Sequence, residues 1–121
     1  NHLNGEREGV YKSWYDNGQI KKSYTLYEGE FNGTFKEWTE DGVLIKEHNY
    51  NMGEFDKSVR KWYASGEIEY EWNFINGMSH GAQRDFYLNG QIKSETIYHY
   101  DQIKVIKEWS SSGRLITNYN Y

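Results

Sequence analysis

Apolar and aromatic side chains fall at alternate positions in runs of five to eight residues, and each pair of runs is joined at a glycine. Gly33-Thr34-Phe35-Lys36-Glu37-Trp38 turns at Glu40-Asp41-Gly42 and runs out through Val43-Leu44-Ile45-Lys46-Glu47-His48-Asn49-Tyr50 to Gly53. Alternation on either side of an Asn-Gly, Asp-Gly or Ser-Gly step reads as a β-hairpin. The hairpin recurs along the whole chain. Its turn glycines, Gly18, Gly42, Gly66, Gly90 and Gly113, are spaced by 24, 24, 24 and 23 residues, and a fixed period of this length marks a repeat protein. The expected fold is all-β: an antiparallel hairpin-repeat meander of about ten strands in which each unit buries its face against its neighbours.

The period divides residues 1–121, read as one repeat domain, into units 9–32, 33–56, 57–80, 81–103 and 104–121. Asn1 to Glu8 carries Asn4-Gly5 and reads as the tail of a preceding repeat, because Glu28-Gly29 stands in the same relation to Gly33. Proline is absent, so no strand is barred from a ladder.

Two loop geometries fit each turn. A two-residue loop sets Trp14 on the face opposite Ile20, whereas a three-residue loop with glycine in a G1 bulge sets them together. The second is preferred, since it gives the repeated tryptophan and the repeated aliphatic one apolar face. Continued at period two, this face takes Trp14, Trp38, Trp62, Phe86 and Trp109. With them go Ile20, Leu44, Ile68, Ile92 and Leu115, the variable column Tyr24, His48, Trp72, Thr96 and Tyr119, and the outer column Leu26, Tyr50, Phe74, Tyr98 and Tyr121. The opposite face is expected to take Tyr15, Thr39, Tyr63, Tyr87 and Ser110 with the acidic column Glu47, Glu71 and Glu95.

Composition changes the picture in one respect. Leu, Ile, Val and Phe fall just short of the roughly 20% below which chains lean towards disorder, yet Tyr 12, Trp 5 and Phe 5 recur in phase. Disordered chains are poor in aromatic residues, so large amphipathic rings are expected to build the core. A net charge of -4 argues against a nucleic-acid partner, which needs a basic footprint. With no cysteine, neither a disulfide framework nor a thiolate metal site is available. No run of 18 apolar residues exists to span a membrane.

The pattern G-x-x-K-x-W-Y-x-x-G-x-I-x-x-E-x-x-Y-x-x-G resembles the MORN-variant repeat of the bacterial YwqK-type antitoxin family. The resemblance covers nearly the whole chain and implies a MORN-like single-sheet solenoid. It also implies an antitoxin or immunity-type function, in which a cognate toxin is neutralised by binding and no reaction is catalysed. An antitoxin belongs in the cytoplasm, whereas a signal peptide before Asn1 would mean export. The sequence departs from the pattern at Lys57, Asp101 and Lys104, where glycine is expected, so the third and fifth units are expected to connect differently.

The chemistry-bearing columns have structural readings. Carboxylates in pairs do acid-base work in glycosidases, but Glu47, Glu71 and Glu95 recur once per repeat beside lysines, as ion-pair rungs would. Lys12, Lys36, Arg60, Arg84 and Lys107 precede each ring by two residues, where their stems can cover aromatic surface. A phosphate-binding strip is the alternative use. His2, His48, His80 and His99 occupy unrelated repeat positions without ligand spacing, so neither a metal nor another cofactor is expected.

What recurs is scaffold, and what breaks the pattern is where a partner would be selected. Tyr70, Trp72 and Phe74 make one strand face wholly aromatic, and Met78, Ser79 and His80 follow in the connection. With Tyr24 and His48 of the variable column, the residues Tyr70, Trp72, Phe74, Met78 and His80 are the candidate partner-binding set, aromatic anchors being the usual carriers of interface energy. A thicker central core explains the same rings. A scaffold at a surface or membrane, holding lipid headgroups or glycans on its aromatic strip, is the alternative function. Asn118-Tyr119-Asn120-Tyr121 is an uncharged terminal strand whose edge invites self-association or a partner's strand.

Overall fold

Every backbone amide in a chain without helix signals must find its partner in a neighbouring strand, and the short hairpin turns make that neighbour the next strand in sequence. The computed structural model describes residues 2–3 and 6–121, with side chains from Glu8 onward. Asn4-Gly5 of the expected repeat tail lies outside the described residues. Fourteen strands occur among them and no helix. β1 (His2–Leu3) and β2 (Glu6–Arg7) form a two-stranded ladder of their own. The rest build a single antiparallel sheet that does not close. They are β3 (Gly9–Trp14), β4 (Ile20–Tyr27), β5 (Glu30–Phe31), β6 (Gly33–Trp38), β7 (Leu44–Asn51) and β8 (Glu54–Trp62), followed by β9 (Ile68–Ile75), β10 (Met78–Ser79), β11 (Gly81–Phe86), β12 (Ile92–His99), β13 (Gln102–Trp109) and β14 (Leu115–Asn120). The order across the sheet is β3-β4-β6-β7-β8-β9-β11-β12-β13-β14, with β5 added to β4 and β10 to β9.

The preferred turn is the one observed. Tyr15 N–H donates to the Gln19 carbonyl at 2.8 Å and Gly18 N–H to the Tyr15 carbonyl at 3.0 Å, which closes a three-residue loop. Gly18 sits at φ +90°, where a Cβ would clash with its own backbone. Trp14 then pairs with Ile20, as expected, but Ser13 pairs with Lys22. One residue is therefore extra on the returning strand. The same slip recurs at Glu37/Trp38, Lys61/Trp62, Asp85/Phe86 and Glu108/Trp109.

That extra residue overturns the expected sorting of faces. A bulge reverses the phase of the strand beyond it, so Tyr24 and Leu26 pair with Tyr11 and Gly9 rather than sharing a face with Trp14. Rings confirm the reassignment: Tyr11 stacks on Tyr24 with centroids 5.7 Å apart, and Tyr24 on Phe35 at 5.6 Å. The acidic column moves the other way. Glu47, Glu71 and Glu95 share the tryptophan face with the basic column, as the ion pairs Lys36–Glu47, Arg60–Glu71 and Arg84–Glu95 show. One face is thus charged and carries Trp14, Trp38, Trp62 and Trp109; the other is aromatic and carries Trp72. The core lies on the aromatic face, where Val59 is wholly buried and His48 nearly so. On the charged face Trp14 is 59% exposed.

A second turn alternates with the first. Tyr27 pairs with Glu30, and the two residues between them, Glu28 and Gly29, both have positive φ, as a right-twisted two-residue hairpin demands. Past this turn the register slips by two residues on leaving the first and second units, from Leu26↔Phe31 to Ser23↔Lys36 and from Tyr50↔Phe55 to His48↔Val59. On leaving the fourth unit it slips by one, from Tyr98↔Ile103 to Ile97↔Val105, which locates the residue missing from the 23-residue spacing of Gly90 and Gly113. Lys57 and Asp101 hold φ of 62° and 69° without being glycine.

Backbone strain at these positions has opposite signs for two substitutions. Gly66→Ala, at φ +96° with open space around its missing Cβ, is expected to lower stability by about 1–2 kcal/mol from strain alone. Lys57→Gly is expected to cost nothing and to stabilise by up to about 1 kcal/mol, glycine's flexibility in the unfolded chain offsetting part of the relief. Urea midpoints for the two variants, read against the wild type, check both.

Candidate functional site

The interior of the aromatic face is a run of rings. Phe31, Phe35 and Tyr50 pack edge to face and tilted, and Phe55 bridges Tyr50 and Phe74 with centroids 5.2 Å from each. His48 sits among them, paired across the ladder with Phe35 on one side and Val59 on the other. Its Nε2 lies 2.9 Å from the Tyr70 hydroxyl. Burial, helped by the charges of Lys46 and Lys61, lowers the His48 pKa to about 4. Burial, with the nearby Glu69, Tyr50 and Asp85, raises Tyr70 to about 12. The imidazole is therefore neutral and the phenol protonated, so the bond between them is uncharged and either can donate, depending on the histidine tautomer.

Beyond Tyr70 the face opens. The Trp72 ring stacks on Tyr70 at 3.9 Å between centroids and only 12° between planes. Next to it lies a groove of about 320 Å³ lined by Trp72, Phe74, Ser79, Gln83, Asp85, Thr96 and Tyr98. Its origin is visible in the repeat. Where the first and second units place Phe31 and Phe55, the third places Ser79, and where the second and third place Phe35 and Val59, the fourth places Gln83. Thr96 similarly stands where Trp72 and His48 stand in the units before it. Three large side chains become small or polar at one spot, and the missing volume is the groove.

The polar groups of the groove are held in place. Gln83 bonds both ways to the Asn73 backbone, accepting from its N–H at 2.6 Å and donating to its carbonyl at 2.9 Å. Asp85 accepts from Trp72 Nε1 and from Ser94 Oγ, each at 3.0 Å. Aromatic walls around a few oriented polar groups are the usual make-up of a binding pocket.

The seven residues of the candidate partner-binding set are scattered by the fold. Trp72 and Phe74 line the groove and Tyr70 underlies Trp72. His48 is buried, and Tyr24 lies on the same face in the first unit, stacked between Tyr11 and Phe35. Met78, half-buried on β10, pairs with Ile75. His80 Nδ1 accepts the Tyr100 N–H at 3.1 Å, the role that Asn32 plays for Met52 two repeats earlier and Asp56 for Asn76 one repeat earlier. Gln83 and Asp85 were not signalled as site residues. Aligning the units on their aromatic face, rather than by hydrophobicity, would have exposed both as substitutions of a ring position and of a paired charge.

On the charged face the glutamates are rungs between strands. Arg60 reaches Glu71 at 2.7 Å and Glu47 at 3.5 Å, and Arg84 reaches Glu95 at 2.7 Å. Among the described residues no three His, Asp or Glu side chains converge as metal ligands. Among the described residues no helix is long and apolar enough to cross a membrane.

Comparison with known proteins places the period in a family. Residues 7–28, 31–52, 56–76 and 79–100 each match the MORN repeat variant. These segments cover well over half of the chain, and residues 101–121 lie beyond them although β13 and β14 continue the sheet. No curated protein matches the chain.

The neutral His48 makes an acid-stability prediction. Its folded pKa lies below the ordinary 6.5, so the unfolded chain binds the proton first. The stability that His48 permits is complete above pH 6.5 and is lost as pH falls towards 4, by about 2 to 3 kcal/mol. In His48→Gln, chemical denaturation from pH 4 to 7 is expected to show a shallower pH dependence than the wild type, whatever the overall loss of stability. An unchanged slope would mean that the imidazole does not carry this term.

Proposed function

The chain belongs to the MORN repeat variant family, and from that premise we propose that it is a non-catalytic protein-interaction module that holds its partner in the groove beside Trp72. MORN repeats are protein or membrane-lipid interaction modules, and the groove is the observation that favours a protein here. It is an interruption of an otherwise ring-filled face, with Trp72, Phe74 and Tyr98 as walls and Ser79, Gln83, Asp85 and Thr96 as hydrogen-bonding groups. Tryptophan and tyrosine at the edge of a desolvated pocket are the residues that concentrate interface energy.

The finer reading follows the antitoxin resemblance: the partner is a toxin, and occupation of its working surface neutralises it. The lipid-headgroup reading draws less support, since Lys36, Arg60 and Arg84 are each engaged by a glutamate of a neighbouring strand. A phosphate would have to displace those carboxylates.

Affinity capture from the source cells tests this reading with two variants. The wild-type chain is expected to retain one stoichiometric protein whose expression alone arrests growth. Trp72→Ala is expected to weaken retention by roughly thirtyfold or more. Ser79→Phe restores the residue type of the earlier units, keeps the backbone bonds of Ser79 and fills the groove; it should fold at least as well and lose the partner. Retention of a partner by a folded Ser79→Phe chain would remove the groove from the interface, and vesicle or glycan binding without a protein partner would overturn the reading as a whole.

A further inference from the structure

We infer that the groove receives an arginine side chain of the protein partner, with its guanidinium held between the Trp72 ring and the Asp85 carboxylate. This rests on the binding-groove reading above and names what enters it. The argument comes from equivalent positions on successive hairpins. In the second unit Glu37 stands opposite Lys46, with Nζ 3.7 Å from the carboxylate. In the third, Lys61 reaches Glu69 at 2.6 Å. In the fourth, Asp85 occupies that position and faces Ser94, where the first two units have Lys22 and Lys46. The fourth unit thus has a carboxylate at this position, as the second does, without a lysine opposite it. Among the described residues, no cation lies within ion-pair distance of Asp85.

The carboxylate is oriented but not saturated. Oδ1 accepts the Trp72 indole N–H and Oδ2 the Ser94 hydroxyl, both at 3.0 Å. Each oxygen of an ionised carboxylate has two lone-pair sites, so each keeps one free. Two adjacent free acceptors match the parallel N–H groups of a guanidinium, which binds them as a fork. Trp72 and Tyr98 supply the aromatic surface on which such a planar cation stacks, and Phe74 gives the apolar wall for its methylene stem. Lysine would supply the charge alone, without the fork or the stacking. The net charge of -4 adds a weak attraction for a basic partner.

The probe is a capped Gly-Gly-Arg-Gly-Gly peptide and its citrulline counterpart, isosteric and uncharged, each titrated into the isotope-labelled chain and followed by NMR. The arginine peptide is expected to shift the Trp72 indole and the Thr96 and Tyr98 amides saturably, and the citrulline peptide to bind about tenfold more weakly or worse. Asp85→Asn should abolish the preference for arginine. Ser94→Lys installs the missing counterion after the pattern of Glu37 and Lys46; it should leave the fold intact and weaken the arginine peptide by about tenfold or more. Equal response to the two peptides, wild-type binding by Asp85→Asn, or shifts centred on Glu47, Glu71 and Glu95 would overturn the assignment. So would the absence of a saturable response by about 10 mM peptide. A captured partner that depends on Trp72 yet tolerates Asp85→Asn and Ser94→Lys would leave the groove as the interface and remove arginine from it. Arginine-selective shifts with no captured partner would do the reverse.

Discussion

One extra residue per hairpin decides what every other side chain in this sheet can touch. The glycine at each turn accepts a positive φ that no β-carbon tolerates cheaply and closes the three-residue loop; one pair further on, the returning strand carries one residue more than its partner, Lys21 lying between the pairs Trp14↔Ile20 and Ser13↔Lys22. Because side chains alternate with a period of two, that residue transfers the rest of the strand to the other face. Ile20 begins its strand opposite Trp14, and Tyr24 and Leu26 further along it lie on the other side. The segregation into an aromatic and a charged face is a consequence of this slip, repeated five times.

A sheet with one layer has little interior, and its stability depends on how densely one face can pack against itself. Among the described residues only Val59 and His48 reach full or nearly full burial, so most of the core consists of rings half covered by other rings. Aromatic pairs are suited to this because they bring large contact area together with preferred stacked and edge-on geometries. The same arrangement makes the face sensitive to volume. Replacing phenylalanine by Ser79 and a ring or valine by Gln83 leaves a space that no second layer can collapse into, and the space becomes a groove.

The charged face contributes differently. Its ion pairs are partly exposed, with side chains at roughly a fifth to two-fifths of full accessibility, and exposed pairs are worth about 0 to 1 kcal/mol each. Their regular placement matters more for register than for energy, since a slipped strand would set like charges opposite one another. At the turns, the Tyr15, Tyr63 and Tyr87 hydroxyls donate to the Trp38, Phe86 and Trp109 carbonyls of the following units. These bonds tie each hairpin end to the next. Asn32, Asp56 and His80 do the same at the opposite edge.

The sequence alone determined the period, the hairpin and the antiparallel meander, and narrowed the turn to two loops, because glycine placement and alternation act locally and leave few alternatives. It also marked Trp72 and Phe74 as departures from the pattern. It could not determine which residues share a face: the slip is a property of two strands in register, and strict period-two reading carried Tyr24, His48 and Trp72 to the tryptophan side. Nor could it show that His48 is enclosed by rings of three strands, that His80 serves as a backbone acceptor, or that Asp85 lacks the lysine partner that Glu37 has in the second unit. Those facts depend on neighbours some 10 to 24 residues apart in the chain, brought together by pairing across the sheet, and only the tertiary structure decided them.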